Sequence, residues 1–153
     1  MSDTASTPAP SLGAILSKTV APSAWVEFKE SISFKLKYLP KARFRALADS
    51  STEQKYDPVT KTRAPKINTQ DFTERYLREA VLDWKGVTLK SLSRICEIDV
   101  SGQPPEAMET ALPFTIEELT RLIDIVYDLD NFISAAVTDI KTFRPLLEEE
   151  TKN

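Results

Sequence analysis

The stretch Asp71–Val87, DFTERYLREAVLDWKGV, carries the strongest periodic signal in the chain. Phe72, Tyr76, Leu77, Ala80, Val81 and Trp84 recur at spacings of three and four, which predicts one amphipathic α-helix across the whole stretch. Glu74 and Arg78, and Arg75 and Glu79, stand four apart on the polar side, where each pair adds a few tenths of a kcal/mol. Thr69 or Asp71 suits the start of such a helix. Gly86 suits its end, because a helix commonly closes on a residue with positive φ. The plain reading is a helix that turns its apolar stripe into a core.

Upstream, residues 1–22 are small, polar and punctuated by Pro8, Pro10 and Pro22, the composition of a flexible N-terminal arm. Leu12, Ile15, Leu16 and Val20 are the exception, since their spacing allows a short helix that docks on the domain or on a partner. From Ala24 the pattern changes. Trp25, Val26 and Phe28 begin a strand, and Ile32, Phe34, Leu36 and Tyr38 alternate with Ser33, Lys35 and Lys37 in a period of two. Lys29-Glu30-Ser31 serves as the turn, giving a β-hairpin. Pro40 opens a helix that carries Phe44, Leu47 and Ala48 and runs to about Ser50–Lys55. Tyr56–Asn68 holds Pro58, Pro65 and scattered charges, and reads as a loop with at most short strand character at Val59 or Ile67.

Downstream, Leu89, Leu92, Ile95 and Cys96 fit a short helix or bent turn. Asp99–Met108, with Gly102 and the Pro104-Pro105 pair, reads as a loop. Thr115 and Glu118 have the spacing of a capping box. Leu119, Leu122, Ile123, Val126 and Tyr127 form the stripe that follows, and Phe132, Ile133, Ala136, Val137 and Ile140 resume it after a break at Asp128–Asn131. Two helices with a tight break are expected. Pro145 ends them, and 146–153 is an acidic, frayed tail. The expected fold class is therefore α+β, an N-terminal β-hairpin followed by four or five helices. These form one small, mainly helical domain over residues 23–145.

Composition narrows the chemistry. The 153 residues include no histidine, one cysteine and three glycines. The commonest general base, nucleophile activator and metal ligand is thus missing, and no glycine-rich phosphate cradle can be written. Glu117, Glu118, Asp124, Asp128 and Asp130 are the only carboxylates within one helical reach, and a solvated helix face explains them better than paired acid–base work. The expectation is a non-enzyme without cofactor or metal. A net charge of −3 gives no basic footprint for nucleic acid. No apolar run is long enough to span a membrane, and the N-terminus lacks the character of a secretory signal. The lone Cys96 suits a reducing compartment and reads as a small buried hydrophobe.

Three pieces then occur in order: Leu82-Asp83-Trp84-Lys85-Gly86-Val87, the glycine-containing Ser101-Gly102-Gln103, and Leu112-Pro113-Phe114-Thr115. Over about residues 25–143 this resembles the tail assembly chaperones of long-tailed bacteriophages, in which a similar helix end precedes a similar helix start. The connection Ser101–Ala111 is longer than in that family, and the arm is extra.

The resemblance implies a phage tail assembly chaperone of the host bacterial cytoplasm, absent from the finished virion. It would bind the tape-measure protein, keep its helices soluble and help recruit tail-tube protein, often as a homo-oligomer. A binder of amphipathic helices needs an apolar groove with a charged rim. The candidate partner-binding residues are Trp84, Val87, Phe114 and Phe132. The competing reading packs Trp84 and Phe114 together inside the core. Two other functions fit the same chain: a small virion component of tail or head completion, and a phage-encoded adaptor that binds a host protein.

Overall fold

A computed structural model of the chain describes residues 11–18 and 21–144. Helix α1 (Leu12–Lys18) comes first, with Leu12 and Ile15 exposed. Val20, most of the expected arm and the acidic tail 146–153 lie outside the described residues.

The period-two segment forms the middle of the main sheet. β1 (Ser23–Glu27) and β2 (Ser33–Lys37) pair antiparallel, with Trp25 opposite Lys35 and Val26 opposite Phe34. Ile32, Phe34 and Leu36 are fully buried, while Ser33, Lys35 and Lys37 face outward. The turn between the strands holds Glu30 and Ser31 at φ 50° and 64° and is closed by Ile32 N–H donating to Lys29 O at 2.8 Å. Two successive positive φ values are the backbone of a type I′ turn, built here without its usual Asn-Gly.

Helix α2 (Lys41–Ser50) buries Leu47. It is followed by β3 (Thr52–Asp57) and β4 (Thr62–Ile67), an antiparallel pair that forms a second, separate sheet. The segment expected to be a loop is thus largely a hairpin, with every one of its strand residues exposed. Helix α3 (Thr69–Ala80) then runs back to the core and buries Tyr76, Leu77 and Ala80. Its cap is Asn68, whose side chain accepts from Asp71 N–H at 3.1 Å, in place of Thr69 or Asp71. The Glu74–Arg78 pair forms at 3.1 Å. Arg75 instead meets Asp71, and Glu79 receives Arg43 from α2.

Helix α3 ends at Ala80, well short of the stop expected at Gly86, and the chain passes directly into strand β5 (Val81–Lys85). β5 pairs antiparallel with β2, so the sheet order is β1-β2-β5. The register shifts by one: Leu36 lies opposite Val81, but Lys35 lies opposite Asp83. Leu82 is the extra residue of a β-bulge. The bulge turns Val81 and Trp84, three apart, both inward. A bulged strand here mimics helical spacing, which is why the sequence reads as helix.

The C-terminal half is helical. α4 (Leu89–Ile95) starts with a complete capping box between Thr88 and Ser91. α5 (Pro105–Glu109) occupies part of the expected loop, with Pro105 in its first turn, a position that needs no N–H. α6 (Ile116–Ile125) and α7 (Leu129–Thr138) are separated by a short break, and a 3₁₀ turn follows at Ile140–Thr142. Thr115 caps α6 by accepting from Glu118 N–H, while the Glu118 carboxylate turns to Arg121. Tyr127, expected in the buried stripe, is 99% exposed because it falls in the break.

The expected architecture, one hairpin followed by four or five helices in a mainly helical domain, is therefore overturned. The described residues form seven α-helices and five strands in two small antiparallel sheets, with all strands in the N-terminal part. The opening hairpin is present, but β3, β4 and β5 replace a loop and the end of a helix. The core lies between the inner face of the larger sheet and helices α3, α6 and α7. Phe34, Leu36, Leu77, Leu119, Ile133 and Val137 are fully buried there. No described helix is long and apolar enough to cross a membrane.

Candidate functional site

Beyond β5 the chain turns sharply at Gly86, whose φ is +77°. A Cβ there would lie 2.2 Å from the Ser31 main-chain oxygen, so the close approach of this turn to the β1–β2 turn requires glycine. Ser91 Oγ, inside α4, donates to Gly86 O at 2.7 Å and fixes the corner from the other side. Val87 follows and is buried, and its carbonyl accepts from Leu112 N–H at 2.9 Å. Trp84 Nε1 donates to Leu112 O at 2.8 Å. These two bonds stitch the Leu112–Thr115 segment to the end of β5, although the two are far apart in sequence.

The result is a cleft of about 200 Å³ between the β5 corner, α4 and α6. Trp84, Val87, Leu92, Leu112 and Leu122 make its apolar wall, and Ile125 stands at its mouth, 52% exposed. Glu118 and Arg121 form a charged rim and pair with each other at 3.2 Å. An apolar floor with a polar edge accepts a large aliphatic or aromatic side chain presented by an amphipathic helix.

Of the four sequence-predicted residues, Trp84 and Val87 line this cleft. Phe114 packs edge-on against Trp84, with ring centroids 5.3 Å apart, and so backs the wall. Phe132 lies elsewhere. It contacts Phe28 at 4.8 Å and Phe34 at 6.5 Å, and Phe34 in turn meets Trp84 at 6.5 Å. The rings form one continuous chain from Phe114 to Phe28, most of it core packing. Trp84 is thus a core residue with one face on the cleft, and Phe132 is separated from the cleft by Phe34.

Ile125, Leu122, Pro113 and Arg121 were missed by sequence reasoning. Ile125 did carry a signal, as a large aliphatic residue set off the buried stripe of α6. None of the perturbed ionisable groups lines the cleft, although the Cys96 thiol donates to the main-chain oxygen of Leu92, which does. Burial, reinforced by the Asp130 charge, pushes the Tyr76 hydroxyl up, and burial pushes the Cys96 thiol up. Hydrogen bonds from Ser101 hold Asp99 below the ordinary aspartate value, and the Lys29 ammonium does the same for Asp128. Glu117 is exposed, 3.9 Å from Arg78, and does not converge with Glu118. Among the described residues no three His, Cys, Asp or Glu side chains come together as a metal site.

The chain matches no protein-family model, no curated protein and no solved structure.

Proposed function

We propose that this chain is a non-enzymatic assembly chaperone of a long phage tail, acting in the host bacterial cytoplasm and leaving before the virion is complete. It takes an apolar helical segment of the tape-measure protein into the cleft between β5, α4 and α6, and holds that segment soluble until tail-tube protein replaces it. The observation that supports this reading is the cleft itself. It is half-open, apolar and rimmed by the Glu118–Arg121 pair, and four residues of the chaperone-like motifs, Trp84, Val87, Leu112 and Pro113, line it. A groove of this kind binds helices through a few side-chain anchors.

The test is co-expression of a tagged copy with the tape-measure protein. The reading expects a soluble complex and a gain in tape-measure solubility, and both should disappear when Ile125 is changed to Asp. Absence of any complex, or a complex indifferent to Ile125, overturns it.

A second reading, a small structural component of the virion, draws on the exposed β3–β4 hairpin, the shape of an arm that interlocks with neighbours. Mass spectrometry of purified particles separates the two, because a chaperone is absent from finished virions and a structural component is present.

A further inference from the structure

The β3–β4 hairpin is a two-stranded sheet exposed on both faces, an arrangement that is marginal in water without further partners. Its hydrogen-bond phase can be assigned. Asn68 N–H donates to Ser51 O at 2.8 Å, so Ser51–Asn68 begins the ladder as a hydrogen-bonded pair. With the observed register, Glu53–Lys66, Lys55–Ala64 and Asp57–Thr62 follow as hydrogen-bonded pairs. Gln54–Pro65 then falls at a position where the cross-strand bond is not made, consistent with a proline that has no N–H to give.

The two outer edges therefore differ. On β4 the outward groups belong to Arg63, Pro65 and Ile67, and Pro65 interrupts the row of donors. On β3 they belong to Thr52, Gln54 and Tyr56, and the row is complete. An unprotected edge of this kind is a template for another strand.

We propose that two copies of this chain pair antiparallel through the outer edge of β3, with the two-fold axis at Gln54. The charges select both the partner and the register. With Gln54 opposite Gln54 of the second copy, Thr52 and Tyr56 bond across the edge, and Glu53 stands opposite Lys55 of the second copy twice over. These charge pairs fall on the non-hydrogen-bonded positions, where facing side chains are closest. A slip of two in one direction sets Glu53 against Glu53, and in the other Lys55 against Lys55. A slip one step further past the Lys55–Lys55 register places Pro58 where Gln54 needs a donor. Lys55 has no ion pair among the described residues, and Glu53 accepts one hydrogen bond, from Asn68 Nδ2 at 2.9 Å, which leaves its second oxygen for the lysine. The same pairing lays the exposed Tyr56 of one copy beside Thr52 of the other. This inference is independent of the cleft and of the proposed function.

Sedimentation of the purified full chain tests it. The expected species is a dimer. Gln54→Pro removes only an outward N–H, as Pro65 does on the other strand, and is expected to give a monomer with an unchanged far-UV spectrum. Glu53→Lys and Lys55→Glu are each expected to weaken dimerisation roughly tenfold or more, because two attractive cross-strand pairs become repulsive. Mixing these two variants is expected to recover a heterodimer, since each lysine then meets a glutamate. A chain that stays monomeric at high micromolar concentration overturns the proposal. So does a folded Gln54→Pro variant that remains dimeric, or a mixture that fails to recover the dimer. Should Gln54→Pro not fold, the charge-reversal pair decides the matter by itself.

Discussion

The Trp84 indole N–H donates to the main-chain oxygen of Leu112 at 2.8 Å, across 28 residues of sequence. This bond locks the Leu112–Thr115 segment against β5 and sets the shape of the cleft wall. Trp84→Phe keeps most of the apolar ring but leaves the Leu112 oxygen without its donor. The expected loss is about 1–3 kcal/mol, read as a shift in urea midpoint at constant slope. Trp84→Ala should lose about 3–5 kcal/mol. Equal losses for the two variants would show that the hydrogen bond, rather than ring volume, dominates.

Gly86→Ala is expected to destabilise the chain by about 2–4 kcal/mol. An added Cβ meets the Ser31 oxygen at 2.2 Å, and the residue must also hold φ +77°. The atom that the Cβ meets is backbone at a tight turn, so relaxation requires moving β5 away from the β1–β2 turn. Thermal unfolding of the variant checks this, and a change within about 0.5 kcal/mol, the range of an ordinary surface substitution, would mean that the two turns are not in contact.

Ile125→Asp separates folding from binding. Ile125 is 52% exposed at the mouth of the cleft. Its replacement should alter stability by no more than about 1 kcal/mol, while a carboxylate at the mouth of an apolar groove should disrupt capture of the tape-measure helix. Parallel denaturation and co-purification measure the two effects. Loss of stability in step with loss of binding would show that Ile125 belongs to the core.

The Lys29–Asp128 ion pair ties the β1–β2 turn to the break between α6 and α7. The Lys29 ammonium holds the Asp128 carboxyl below its ordinary value of 3.8. A folded pKa lower than the unfolded one means that the carboxylate form favours the native state. Its contribution is complete above about pH 4 and is lost as pH falls through the folded value. An NMR titration should find Asp128 titrating below 3.8 in the native chain, and closer to 3.8 in Lys29→Ala. An unchanged titration in the variant would remove Lys29 as the cause.

Where burial alternates with the backbone, the sequence spoke clearly. Ile32, Phe34 and Leu36 against Ser33, Lys35 and Lys37 are a half-buried strand and read as one. The stripe of α6 was legible from Leu119 to Val126 by its helical period, and Thr115 as its cap by residue type, whereas the reciprocal Glu118 bond is not made and Tyr127 is exposed. The misreadings have two distinct physical origins. At Val81 and Trp84 a bulge at Leu82 makes a strand bury residues three apart, so a helical period appears where no helix is. In Thr52–Ile67 neither face is buried, so no hydrophobic alternation exists to be seen, and Pro58 and Pro65 point to a loop. The cleft was half legible. Its Trp84–Val87 wall lay in a distinctive motif, but its other wall on α6 depends on a long-range fold that places Leu122 and Ile125 across from it.

The bond from Asn68 N–H to Ser51 O closes the base of the β3–β4 hairpin where α2 ends and α3 begins. Everything beyond that bond projects from a body whose core is complete without it, and the tip residue Val59 is 88% exposed. The tip of the hairpin is thus free to vary in length and composition during descent with little penalty to folding. Doubling such a loop costs only about 0.6 kcal/mol in closure entropy. Relatives that share the body are accordingly expected to diverge most at the tip, residues 58–61, which lies outside the β3 edge, and the tip at Val59 is a natural place to insert a tag or a foreign peptide.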